Sequence, residues 1–182
     1  MDIDITSGLL KEARQQPSAN CDVRPDERDI SLIVIHGISL PPGKFGDDYI
    51  DQLFCNQLDP DEHPYFKEIA ELHVSSHLLI RRDGEIVQYV PFHKRAWHAG
   101  VSCFQERESC NDYSIGIEME GEDETPYTSI QYQVLSETIK TLVSAYPLLN
   151  VQTIAGHCDI APGRKTDPGT AFDWDLLQQL LA

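Results

Sequence analysis

The sequence predicts an α/β fold, a mixed central β-sheet flanked by helices, on three observations. Short β-branched runs recur along the chain, one long segment carries helical periodicity, and the elements follow in the order strands, hairpin, strand, helix, strand, helix. That interleaving needs a sheet whose faces helices can cover. At 182 residues the chain is expected to form one domain over 1–182. Its first 29 residues, polar and broken by Pro17 and Pro25, are expected to be a surface-packed lead-in.

The first clear strand is 30–35. Its run Leu32-Ile33-Val34-Ile35 has no polar break, so it reads as buried on both faces and delivers His36 to its end. Segment 41–63 is rich in Pro, Gly and Asp and carries one short helical patch, with Ile50, Leu53 and Phe54 at i, i+3 and i+4. Its length suits the wall of a cleft. Residues 74–80 and 85–90 are β-rich runs joined by Arg82-Asp83-Gly84, a hairpin signal. The run 113–119 alternates and reads as a further strand. Tyr132, Leu135, Ile139, Leu142 and Val143 repeat with helical spacing, which predicts a helix from about Ser129 until Pro147 stops it. A short strand at 151–155 and a terminal helix over 173–181, capped by Asp173, complete the reading.

Composition narrows the function. With 14 Lys+Arg against 30 Asp+Glu the net charge is −16, which excludes a general phosphate-backbone binder and leaves no expected nucleic-acid partner. No apolar stretch exceeds the length of a core strand, so no membrane span is expected. The start Met1-Asp2-Ile3-Asp4-Ile5 lacks a basic, apolar leader pattern, and Cys21, Cys55, Cys103, Cys110 and Cys158 form no Cys-x-x-Cys pair. A reduced, cytoplasmic compartment is expected.

Among seven histidines, His36 and His157 are singled out because each ends a buried apolar run. Asp167 follows His157 across the turn-rich segment 161–165 and could fold back to the same rim. Two imidazoles and one carboxylate suit Zn²⁺ with a fourth position for water. Spacing leaves a rival in His73 and His77, four apart, although 74–80 reads as a strand and so places His77 near a site surface. Cys158 neighbours His157 but points the opposite way on a strand. Glu118 could take a proton from a metal-bound water, although Glu118, Glu120 and Glu122 read more simply as solvated acids at a strand end. Lys165 could stabilise an oxyanion or be a plain loop lysine. Trp97, in the basic and aromatic island 93–100, suits sugar or peptide stacking or a place in the core. Arg107 and Asn111 could hold a ligand carboxylate or amide.

These residues stand in longer motifs: Val34-Ile35-His36-Gly37, Arg95-Ala96-Trp97-His98-Ala99-Gly100-Val101-Ser102, Cys110-Asn111-Asp112-Tyr113-Ser114-Ile115-Gly116-Ile117-Glu118 and Gly156-His157-Cys158-Asp159 through Lys165-Thr166-Asp167-Pro168. On them the chain resembles, over nearly its whole length, the zinc-dependent N-acetylmuramoyl-L-alanine amidases, within them the cytosolic type acting on 1,6-anhydro muropeptides. The resemblance implies one Zn²⁺ per chain on His36, His157 and Asp167, assistance to water by Glu118, and stabilisation of the tetrahedral intermediate by Lys165. It implies a fold shared with peptidoglycan-recognition proteins and phage amidases. Substrate contacts are expected at Trp97, His98, Ala99, Gly100, Arg107, Asn111 and His77.

The reaction so implied is hydrolysis of the amide between the 1,6-anhydro-N-acetylmuramyl lactyl group and L-alanine, in cytoplasmic peptidoglycan recycling. Two departures bear on substrate contacts: Gly37 stands where such relatives commonly have Asn, and His73 where they commonly have Arg. The alternatives are a recognition module that binds muropeptides without cutting them, whose members typically lack a zinc ligand, and a zinc amidase of the periplasmic wall.

Overall fold

The computed structural model describes residues 1–182. Four short strands lead in: β1 (Ile3–Asp4), β2 (Leu9–Leu10), β3 (Arg14–Gln15) and β4 (Cys21–Val23). Next come β5 (Leu32–Ile38), helices α1 (Tyr49–Phe54) and α2 (Phe66–Ile69), and strands β6 (Leu78–Ile80) and β7 (Ile86–Gln88). Strands β8 (Lys94–Ala96), β9 (Cys103–Phe104), β10 (Arg107–Glu108) and β11 (Ser114–Glu120) follow. Helix α3 (Ser129–Ala145), β12 (Ile154–Gly156), α4 (His157–Ile160) and α5 (Trp174–Leu181) end the chain.

The central sheet has six strands in the order β12-β5-β11-β6-β7-β3, parallel throughout except for the antiparallel β6–β7 hairpin. This is the mixed sheet that the sequence predicts. The hairpin turns at Gly84, whose φ of +91° suits the predicted Asp-Gly signal. Strand β5 is central because its run Leu32-Ile33-Val34-Ile35 has no polar break and is 0% exposed throughout, and the alternating β11 pairs along its whole length. The period of two then divides them. Ile33, Ile35, Ile115, Ile117 and Met119 join one apolar cluster, while Leu32 and Val34 join another.

The first face is covered by α3 and α5, through Tyr132, Leu135, Ile139, Leu142 and Leu177. Helix α3 keeps its predicted start through a capping box: Gln131 N donates to Thr128 Oγ1 at 3.3 Å and Thr128 N donates to Gln131 Oε1 at 3.0 Å. On the second face, α1 and α2 bring Ile50, Leu53, Phe54 and Phe66 onto Leu79 and Val87. At the opposite flank, Ala99, Cys110, Tyr113 and Ile160 pack on Leu32, Val34 and Ala155.

One expectation gains detail and one is corrected. The lead-in, mostly exposed, is ordered by pairing: β3 extends the sheet beside β7, β4 pairs with β8, and Arg24 is buried. Ladder hydrogen bonds, which need no apolar periodicity, hold it in place. Residues 74–77 precede β6 rather than belong to it, since Ser75 N donates instead to the Trp97 carbonyl.

Candidate metal centre

Parallel pairing of β5 with β11 sets His36 directly beside Glu118. His157 is the first residue of α4, at the end of the neighbouring β12, and Asp167 returns to it because Cys158 N donates to the Asp167 carbonyl at 2.9 Å. His36 Nδ1 lies 2.9 Å from His157 Nδ1 and 3.2 Å from Asp167 Oδ2, and His157 Nδ1 lies 3.0 Å from that same oxygen. These donors converge within 4.8 Å of one another. His36 and His157 are only 2% and 3% exposed.

The donor set fits zinc. Burial pushes His36 down to about 4, so its imidazole is neutral at pH 7. Burial works against ionisation of Asp167, but hydrogen bonds from His157 and His36 outweigh it and hold the carboxyl well below its usual range. Neutral nitrogen and ionised oxygen are what a catalytic zinc site with three protein ligands requires. Two facing Nδ1 atoms can share only one proton, whereas a cation engages both lone pairs.

Glu118 is buried, and burial, then the charge of Asp167, raises its carboxyl well above the usual value while Lys165 opposes this. A carboxyl displaced toward neutrality suits proton transfer near pH 7. Lys165 is exposed at the rim of the same cleft. The cleft, about 830 Å³, opens at the ends of β5 and β11, where His36, Gly37, Ile38 and Glu118 line it. One arm is apolar, walled by Leu53, Phe54, Tyr65, Ile69, Leu72 and Val74, with half-buried Trp97 beside it; the other carries Glu122, Asp123 and Glu124. The expectation that segment 41–63 walls a cleft agrees with Leu53 and Phe54.

Several residues expected to touch substrate sit elsewhere. His77 is fully buried: its Nδ1 accepts from Gly116 N at 3.0 Å and its Nε2 donates to the Lys94 carbonyl at 3.0 Å. Arg107 lies outside the cleft, paired with Asp29 at 2.6 Å and stacked 3.7 Å over the Tyr113 ring. Asn111 Oδ1 accepts from the backbone of His98 and Ala99. Ala99 is buried, and Gly100 stands outside the cleft beside the Arg164 guanidinium. In each case a nearer protein partner claims the group. His98 does line the cleft, though both its ring nitrogens have protein partners.

The departure at Gly37 also reads differently. A Cβ there would collide with the Tyr127 hydroxyl, which donates to the Pro168 carbonyl at 2.9 Å, next to Asp167. Gly37 thus makes room for a brace behind a ligand. Tyr127 carries no sequence signal because its partner lies 41 residues away. His73 is exposed, 3.2 Å from Asn56 Oδ1.

A family model described as N-acetylmuramoyl-L-alanine amidase matches residues 26–170. This chain belongs to that family. Among amidase relatives, 1,6-anhydro-N-acetylmuramyl-L-alanine amidase AmpD of Salmonella typhimurium (strain SL1344) is 60% identical over 175 residues, 96% of this chain and 93% of the relative. A crystal structure of a Se-Met AmpD derivative superposes with a TM-score of 0.96 at 56% identity, covering 100% of both chains. The Escherichia coli amidase AmiD, solved in complex with anhydro-N-acetylmuramic acid-L-Ala-D-gamma-Glu-L-Lys, gives a TM-score of 0.61 at 30% identity. That match covers 84% of this chain and 57% of AmiD. The fold agrees with the family.

Proposed function

We propose that the chain hydrolyses the amide between the lactyl group of 1,6-anhydro-N-acetylmuramic acid and L-alanine in muropeptides, acting over 1–182 as one zinc amidase domain. The observation that carries this reading is the convergence of His36, His157 and Asp167 at the floor of a cleft that also holds Glu118 and Lys165. His36, His157 and Asp167 would hold one zinc ion. When bound, zinc lowers the pKa of a water from about 15.7 toward 7 and polarises an amide carbonyl. Glu118 accepts the proton of the attacking water and returns it to the departing alanine nitrogen. Lys165 places positive charge beside the oxygen that turns anionic. Trp97 and the apolar arm offer a stacking face for the sugar.

With a net charge of −16, the protein has no general attraction for a substrate that itself bears carboxylates. Binding therefore depends on the local cation Lys165 and on the metal. The cytoplasmic assignment is supported by five cysteines that are all free. No helix is long and apolar enough to cross a membrane.

Incubation with anhydro-muropeptide, followed by mass spectrometry, tests the reading. Metal-stripped protein should leave the substrate intact, and one equivalent of zinc should restore release of the stem peptide. Equal cleavage with and without metal would sink the metal role. Zinc-loaded protein that bound the muropeptide without changing its mass would point instead to a recognition module.

A further inference from the structure

The hydrogen-bond directions behind the metal ligands follow from the ligands themselves, and on the metal-site reading above they carry a further assignment. If His36 and His157 offer Nδ1 lone pairs to a cation, each imidazole keeps its proton on Nε2. His36 Nε2 lies 2.9 Å from His98 Nδ1, and His157 Nε2 lies 3.2 Å from the Ala99 carbonyl. Each proton therefore has an acceptor, and the two acceptors are consecutive residues.

Because His98 Nδ1 accepts, its own proton sits on Nε2, 3.1 Å from Ser114 Oγ. No ring nitrogen of His98 remains for substrate. The segment is held from behind: Asn111 Oδ1 accepts from His98 N at 3.1 Å and from Ala99 N at 2.8 Å. The Ala99 carbonyl also takes Arg164 Nη2 at 2.6 Å. Strand β11 leaves space for the ring, since a Cβ on Gly116 would lie 2.6–2.8 Å from three His98 ring atoms.

We propose that His98 and Ala99, clamped by Asn111, are positioning residues of the metal centre: His98 orients the His36 imidazole and the Ala99 carbonyl orients that of His157. A histidine that merely filled space at 98 would need no acceptor facing His36 and no donor facing Ser114. The substrate roles expected of His98, Ala99 and Asn111 give way to this one. Partners of this kind are worth about 10–100-fold in metal affinity.

Zinc affinity of the full chain, measured by competition with a chromophoric chelator, tests the assignment. His98→Phe keeps the ring volume and loses the acceptor, so zinc should bind about 10–100-fold more weakly. His98→Asn, whose carbonyl oxygen accepts from His36 Nε2, should recover most of the loss. Long-range ¹H–¹⁵N spectra of zinc-loaded wild-type protein should place the protons of His36, His157 and His98 on Nε2. A folded His98→Phe variant that holds zinc as tightly as wild type would overturn the proposal, and so would a His98 proton found on Nδ1. The spectra need no variant, so they decide even if His98→Phe does not fold. Folded wild-type protein that takes up no zinc would overturn the metal-site reading as well, which separates that failure from one confined to His98.

Discussion

The two faces of the central sheet are built from the same alternating strands and put to opposite uses. Under α3 and α5, Ile33, Ile35, Ile115, Ile117 and Met119 belong to one continuous cluster of 21 buried apolar residues. On the other face the apolar residues divide into clusters of 11 and 7, and the seam between them holds His36, His157 and Glu118. A buried ionisable group costs stability unless it is paired or neutralised. The face under α3 and α5 supplies the larger share of apolar burial, which lets the other face hold groups whose value is chemical. Changes under α3 and α5 should therefore lower stability, and changes at the seam should move turnover.

The largest expected departure is at Glu118. Glu118→Gln should lower kcat by about 10²–10⁴-fold, the usual worth of a positioned acid–base group, with zinc content unchanged. The same substitution should raise stability in metal-free protein. The folded carboxyl is displaced above the ordinary value of 4.5, so below that value both states bind the proton alike, and above it the folded state retains a proton the unfolded chain has lost. Wild-type stability consequently falls as pH rises through that window. Metal-free Glu118→Gln should melt above wild type at about pH 7, with the gain vanishing by about pH 4. A pH-independent difference in Tm would contradict the buried-carboxyl account.

Lys165→Ala should cost about 10²–10³-fold in kcat, as for a lost oxyanion donor. Tm and zinc content should hold, because the side chain is exposed. Loss of zinc instead would make Lys165 part of the metal scaffold.

On the helix face, Ile139→Ala should cost about 2–5 kcal/mol in denaturant unfolding, since Ile139 is fully buried in the larger cluster. The zinc dissociation constant should stay within error of wild type. A comparable loss of zinc affinity would show that the faces are not separable. The smallest effect is expected at the start of α3: Thr128→Ala removes one half of the capping box and should cost about 1 kcal/mol, with kcat unchanged.

Much of this division is legible in the chain itself. Alternation in 113–119 and the helical spacing of Tyr132, Leu135, Ile139 and Leu142 are local patterns, and a local pattern states which residues face a core. His36 and His157 stand out for the same reason, each marking where an apolar run ends. The lead-in was harder: Arg14-Gln15 and Cys21–Val23 carry no apolar period, and what orders them is pairing with β7 and β8. Short α4 was likewise hidden, because four residues are too few to display a helical repeat.

By itself the sequence determined the sheet, the helix that covers it and, through its motifs, the family and the three candidate ligands. The elements depend on spacing along the chain and the family and ligands on resemblance of its motifs, and both are written there. Only the tertiary structure decided that His77 lies wholly within the core, that Arg107 turns outward onto Tyr113, and that Gly37 clears space for Tyr127. It also brought the His98 ring and the Ala99 carbonyl behind His36 and His157. A side chain's nearest polar partner is set by how strands distant in sequence pack. Tyr127 finds Pro168, and His36 finds His98, only once β5 and β11 lie side by side.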